Sequence, residues 1–136
     1  LELGHTDLMG RHGARIIKMS QYKKLIGKNI EKIKIADDKE SFSIQFSDGT
    51  IAKFNAEGDC CSYSFIESID NDELRGEIVS IEDIELDCEG ADDPYTSYYG
   101  LKIITNKGHC VVDYRNENNG YYGGYIELEY PANAKQ

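Results

Sequence analysis

The sequence predicts an α+β fold: a mainly antiparallel, strongly twisted sheet of about seven short strands, with one or two short helices packed on it. Three observations lead there. Apolar and polar residues alternate in several short runs, the two-residue period of a half-buried strand. Asp48-Gly49 and Asn119-Gly120 are hairpin-turn pairs. Ser64-Phe65-Ile66-Glu67 has the form of a helix capping box. A small β-barrel is the alternative built from the same strands.

Residues 1–18 mix Gly, His and polar residues without periodicity and are read as an expression-derived or flexible leader. One globular domain spans 19–131, and 132–136 is a frayed tail. Ser20–Ile26 forms a short helix, capped by Ser20 and stopped by Gly27. Ile30, Ile33 and Ile35 mark a first strand. Phe42, Ile44 and Phe46 alternate with polar residues in a second. A two-residue turn at Asp48-Gly49 then places Ile51 opposite Phe46 on one apolar face. Ser64 caps a helix over residues 64–74. Val79 and Ile81 alternate, then Ile84 and Leu86 in the other phase, which calls for a bulge near Glu82-Asp83. Glu89–Pro94 is a loop. Leu101, Ile103 and Ile104 make the next strand, turned by Asn106-Lys107-Gly108. Cys110, Val112 and Tyr114 alternate, so Arg115 points away from them. Ile126, Leu128 and Tyr130 form the last apolar face, ended by Pro131.

Composition narrows the function classes. The 136 residues carry 15 basic and 25 acidic side chains, a formal charge of −10. That field repels phosphate backbones, so nucleic acid is not an expected partner. No apolar run reaches the roughly 18 residues of a membrane helix. The charge is uneven: residues 1–34 are net +5, whereas 67–93 hold twelve carboxylates against Arg75 alone. This run reads either as a solvated face or as a docking surface, even a DNA mimic, for a basic protein.

The four cysteines, Cys60, Cys61, Cys88 and Cys110, lack the C-x₂₋₄-C spacing of a zinc site. Neither a metal nor a cofactor is expected. With no signal region, the thiols read as reduced and the setting as cytoplasmic. Residues 71–82 imitate a calcium loop but place Arg75 at a ligand position. Gly120…Gly123-Gly124 leads into a strand, so it is no dinucleotide fingerprint.

Two segments carry the candidate chemistry. In Gly58–Ser64, Asp59, Cys61 and Ser62 sit in a strand-to-helix loop that could meet an anion at the helix start. Their plain role is helix capping and inward packing of thiols. In Arg115–Gly124, the candidates are Arg115, Asn116, Asn119, Tyr121 and Tyr122. Arg115 suits a carboxylate or phosphate, the amides suit polar edges and the tyrosines suit stacking. Tyr98 and Tyr99 could extend that surface. The plain role here is a tight hairpin.

Together, Gly58-Asp59-Cys60-Cys61-Ser62-Tyr63-Ser64-Phe65-Ile66-Glu67 and Tyr114-Arg115-Asn116-Glu117-Asn118-Asn119-Gly120-Tyr121-Tyr122-Gly123-Gly124 resemble an uncharacterised family of short bacterial and bacteriophage proteins. The resemblance runs from about Leu25 to Tyr130. It implies a phage or prophage setting and a small standalone domain of unknown function, with no catalytic residues to carry over. The expected function is a non-catalytic acidic binding module for a host protein or a small anionic ligand. The alternatives are a thiol-dependent or acid-base enzyme using Cys60, Cys61 or His109, and a structural phage component.

Overall fold

The computed structural model describes residues 21–59, 61–86, 95–118 and 123–132. A 3-10 helix, Gln21–Leu25, precedes eight strands. These are β1 (Asn29–Ile35), β2 (Ser41–Phe46), β3 (Ile51–Gly58), β4 (Tyr63–Ile69), β5 (Gly76–Glu85), β6 (Thr96–Thr105), β7 (Gly108–Glu117) and β8 (Gly124–Glu129). They form one antiparallel sheet in the order β4-β7-β6-β5-β1-β2-β3-β8. A short β1–β5 ladder, at Asn29↔Glu77 and Ile30↔Gly76, joins two four-stranded halves.

The halves turn their apolar faces toward each other. Phe42, Ile44, Phe46, Ala52 and Phe54 come from one half. Ile66, Ile78, Ile81, Leu101, Ile103, Val112 and Tyr114 come from the other, and all join a single buried cluster. Phe42 and Phe54 stack with ring centroids 4.4 Å apart. The curl brings β4 beside the other half, where the Ile66 N–H donates to the Lys39 carbonyl at 2.7 Å. Among the described residues no ladder joins the edge strands β4 and β8, so the sheet is open rather than a closed barrel.

The expected helix over 64–74 is instead strand β4 to Ile69 followed by a turn, and with it the α+β assignment gives way to an almost wholly β architecture. Ser64 and Ile66 point into the core while Tyr63 and Phe65 point out, a period of two. The backbone of β4 pairs with β7 from Tyr63↔Glu117 to Ile69↔Val112, with a bulge between Ile66 and Ser68. The capping-box pattern is local, and that long-range ladder satisfies the groups a helix would have satisfied internally. The other expected helix is present as the tighter 3-10 form.

Small shifts in register change which side chains face the core. The Phe46 N–H bonds the Thr50 carbonyl at 2.9 Å, so the β2–β3 loop has three residues, with Gly49 at φ 91°. Ile51 therefore lies opposite Gln45, not Phe46, and Ala52 and Phe54 turn inward. A one-residue slip moves a whole strand's apolar set to the other face. In β1 a bulge between Ile30 and Lys32 explains why the buried isoleucines are three apart. In β5 the bulge falls between Ile78 and Ser80, upstream of the expected Glu82-Asp83. Ile84 then stays on the outer face, opposite Gly100, and there a Cβ would lie 2.7 Å from Ile84 Cγ1.

The 3-10 helix closes the core. Tyr22 and Leu25 are buried, and Tyr22 stacks on Phe54 at 5.9 Å. Burial, then the nearby Asp83 carboxylate, pushes the Tyr22 phenol far above its usual pKa. The Gln21 amide covers the β8 edge. Its Nε2 donates to the Ile126 carbonyl at 3.1 Å, and its Oε1 accepts from the Leu128 N–H at 2.8 Å. That is the bonding a neighbouring strand would supply, and it blunts an open edge.

Candidate functional site

The two segments singled out in sequence meet in space, at the end of the sheet where β3 stops and β4 and β8 begin. Their meeting point is Asn116, fully buried on the inner face of β7. Its Nδ2 donates to Ser64 Oγ at 2.8 Å and to Ser62 Oγ at 3.0 Å. Its Oδ1 accepts from Asn118 Nδ2 at 2.8 Å. The hydroxyls are also committed as donors: Ser64 to the Glu57 carbonyl and Ser62 to the Asp59 carbonyl, both at 2.6 Å.

Glycines make this approach possible. A Cβ at Gly58 would lie 2.5 Å from Ser62 Oγ, and one at Gly124 would lie 2.5 Å from Ser64 Oγ. Asp59 closes the rim. Its N–H donates to the Gly123 carbonyl at 3.0 Å, and its Oδ2 accepts from the Gly123 N–H at 3.1 Å. Both Asn116 amide protons and its carbonyl oxygen have protein partners, so Asn116 and Ser62 tie strands together. The anion reading of Gly58–Ser64 also loses its helix, because β4 comes next.

Cys61 is exposed, at φ 71° in this loop. His109 is eight residues before Glu117, the partner of Tyr63. At about 3.3 Å per residue, it lies roughly 26 Å along β7 from the Cys61 end. The fold does not bring that thiol and imidazole together. Cys110 is buried, and its thiol is pushed up to about 12 by burial first, then by Asp70 and Asp72. Cys60, Asn119, Tyr121, Tyr122 and the loop 89–94 lie outside the described residues, as do the leader 1–18 and residues 133–136 of the tail.

Arg115 faces outward, away from the buried Cys110, Val112 and Tyr114. Its guanidinium binds Asp113 through two bonds, Nε to Oδ1 at 3.1 Å and an Nη to Oδ2 at 3.0 Å. It also lies 4.9 Å over the Tyr98 ring. An anionic ligand would have to compete with that carboxylate.

Register defines what surrounds Arg115. Phe65 on β4 and Tyr98 on β6 are its direct neighbours, giving a Phe65–Arg115–Tyr98 row across three strands. The next row is Tyr63–Glu117–Thr96. Tyr63 is 44% exposed and stacks on Phe65 at 5.6 Å. Tyr63 and Phe65 were missed in sequence because the capping-box pattern hid their alternation with Ser64 and Ile66. The acidic run is split by the fold: Asp70, Asp72 and Glu73 occupy the turn after β4, whereas Glu82 is on β5 opposite Lys102.

A shallow depression of about 360 Å³ lies elsewhere, lined by Ile26, Gly27, Lys28, Asn29, Ser47 and Asp48. Its Lys28 is ion-paired with Asp48 and rests 5.4 Å over Tyr130. Among the described residues no helix is long and apolar enough to cross a membrane.

No curated protein matches the chain, and neither does any solved structure. A family model does, over residues 23–128, from within the 3-10 helix to β8. The chain therefore belongs to the DUF7448 family, a domain of unknown function.

Proposed function

We propose that this domain is a non-catalytic binding module that docks a partner protein on the outer face of β4, β7 and β6. The observation that carries this reading is the aromatic strip there: Tyr63 and Phe65 stacked on β4, next to Arg115 held over Tyr98. Aromatic side chains and arginine are enriched at protein interfaces, and the aromatic rings bring large contact area with few rotors. Arg115 is already oriented by Asp113, so little side-chain freedom remains to be lost on docking. A small anion is the weaker reading, since it would have to displace Asp113. The phage or prophage setting implied by the two sequence motifs would make the partner a host protein.

The test is site-specific photo-crosslinking. A crosslinker at Thr96, beside the strip, is compared with one at Gln45 on the outer face of the other half. In bacterial lysate, a discrete product is expected from Thr96 and not from Gln45, and Phe65→Ala should abolish it. Equal yields from both positions, or no product at Thr96, would count against this face.

A further inference from the structure

We propose that the Tyr63–Phe65 end of this face receives a lysine or arginine side chain of the partner, held over the Tyr63 ring between Glu117, Asp38 and Glu40; the inference rests on the docking reading above. Phe65 covers one side of Tyr63 at an interplanar angle of 23°, and the 44% exposure of Tyr63 leaves ring surface open to solvent. An aromatic face carries partial negative charge and attracts a cation placed over it.

The carboxylates come from two directions. Glu117 is directly opposite Tyr63 in the β4–β7 ladder. The bond from the Ile66 N–H to the Lys39 carbonyl lays the β1–β2 turn along the outer edge of β4. That turn carries Asp38 and Glu40, with Asp38 Oδ1 accepting the Glu40 N–H at 2.9 Å. Lys39 supplies one positive charge among these three carboxylates, so the rim stays net negative.

The Tyr63 phenol registers that rim. Its pKa is raised by partial burial first, then by Glu40, Asp38 and Glu117. Charges that reach the phenol also reach a group resting on the ring. The carboxylates come from separate elements, Glu117 from β7 and Asp38 and Glu40 from the β1–β2 turn. Among the described residues no three acidic, histidine or cysteine side chains are grouped to hold a metal ion. The arrangement thus suits an organic cation with an apolar stem, which can lie on the rings while its charge meets the rim. Arg115 does not fill the place, because it is turned to Asp113 and Tyr98 on the other side of Phe65.

The test is an NMR titration of the full chain with a capped tri-arginine peptide, with capped tri-glutamate as control. Shifts from tri-arginine should concentrate at Tyr63, Phe65 and Glu117. Tyr63→Ala should weaken binding about threefold or more, Glu117→Gln should weaken it too, and Tyr63→Phe should preserve it. Shifts spread over the Asp70–Glu73 turn and Glu82, indifferent to Tyr63→Ala, would overturn the inference. If the Thr96 crosslink forms but tri-arginine ignores Tyr63, the docking face stands and the cation site falls. If tri-arginine binds through Tyr63 but no crosslink forms, the docking reading fails instead, and the cation preference describes an isolated surface property.

Discussion

Replacing Asn116 with alanine separates a structural role for the two motifs from a recognition role. Asn116 makes three side-chain hydrogen bonds inside the protein, to Ser62, Ser64 and Asn118. In Asn116→Ala both serine hydroxyls keep their bonds to carbonyls but lose the donor they accept from. Asn118 retains longer contacts to Ser97 Oγ at 3.3 Å and the residue 116 carbonyl at 3.4 Å. A buried group left unsatisfied costs about 1–3 kcal/mol. With each partner only partly stranded, about 1 kcal/mol apiece is the appropriate end of that range, and the vacated amide volume adds to it. The expected loss is about 3–5 kcal/mol, or roughly 12–20 °C in Tm for a domain of this size. Urea unfolding followed by circular dichroism or tyrosine emission measures it, since the chain has ten tyrosines and no tryptophan. Asn116→Asp tests the same logic by charge. A carboxylate has no proton for two hydroxyls that already donate elsewhere, so this variant should be worse than alanine near neutral pH. Burial raises that carboxyl's folded pKa, so the deficit grows as pH rises through the unfolded value of about 4 and shrinks in acid. A loss below about 0.5 kcal/mol for Asn116→Ala would refute the structural reading and return the motif to ligand recognition.

Three further perturbations probe other parts of the fold. Gly100→Ala should destabilise by about 1–3 kcal/mol, because the added Cβ collides with Ile84 Cγ1; Ile84→Ala in the same chain should recover part of that loss in a denaturant double-mutant cycle. Asp48 is held below the usual carboxylate range by bonds from Lys28 and then Thr50. A depressed folded pKa adds stability above the unfolded pKa and loses it as pH falls, so the gap between the protein and Asp48→Asn should be widest at neutral pH and close in strong acid. Gln21→Ala strips the cover from the β8 edge. Amide exchange at Leu128 should accelerate by about fivefold while that at Phe54 stays slow, and unchanged exchange would show that the edge is protected by something else.

Much of the fold is legible in sequence wherever the period is two and the turn residues are unambiguous. The alternations Phe42-Ile44-Phe46 and Cys110-Val112-Tyr114 are buried as read, and the outward aim of Arg115 comes from the second. The sequence leaves open whether Gly58–Ser64 and Arg115–Gly124 meet; the bonds of Asn116 to Ser62 and Ser64 bring them together. Three things depended on tertiary structure. Local chemistry at Ser64-Phe65-Ile66-Glu67 favours a helix start, and only the β7 ladder, whose partners are about fifty residues away, makes it a strand. A single extra loop residue before Thr50, and bulges in β1 and β5, each reverse the faces of the strand residues beyond them, because strand period is two and a one-residue slip inverts it. The candidate site rests on such cross-strand register. Tyr63, Phe65, Glu117, Arg115 and Tyr98 become neighbours through ladders that join β4, β7 and β6, whereas Asp38 and Glu40 reach β4 only because the open sheet curls its edge against the β1–β2 turn. Composition states which side chains can stack or carry charge; pairing and curvature decide which of them share a face.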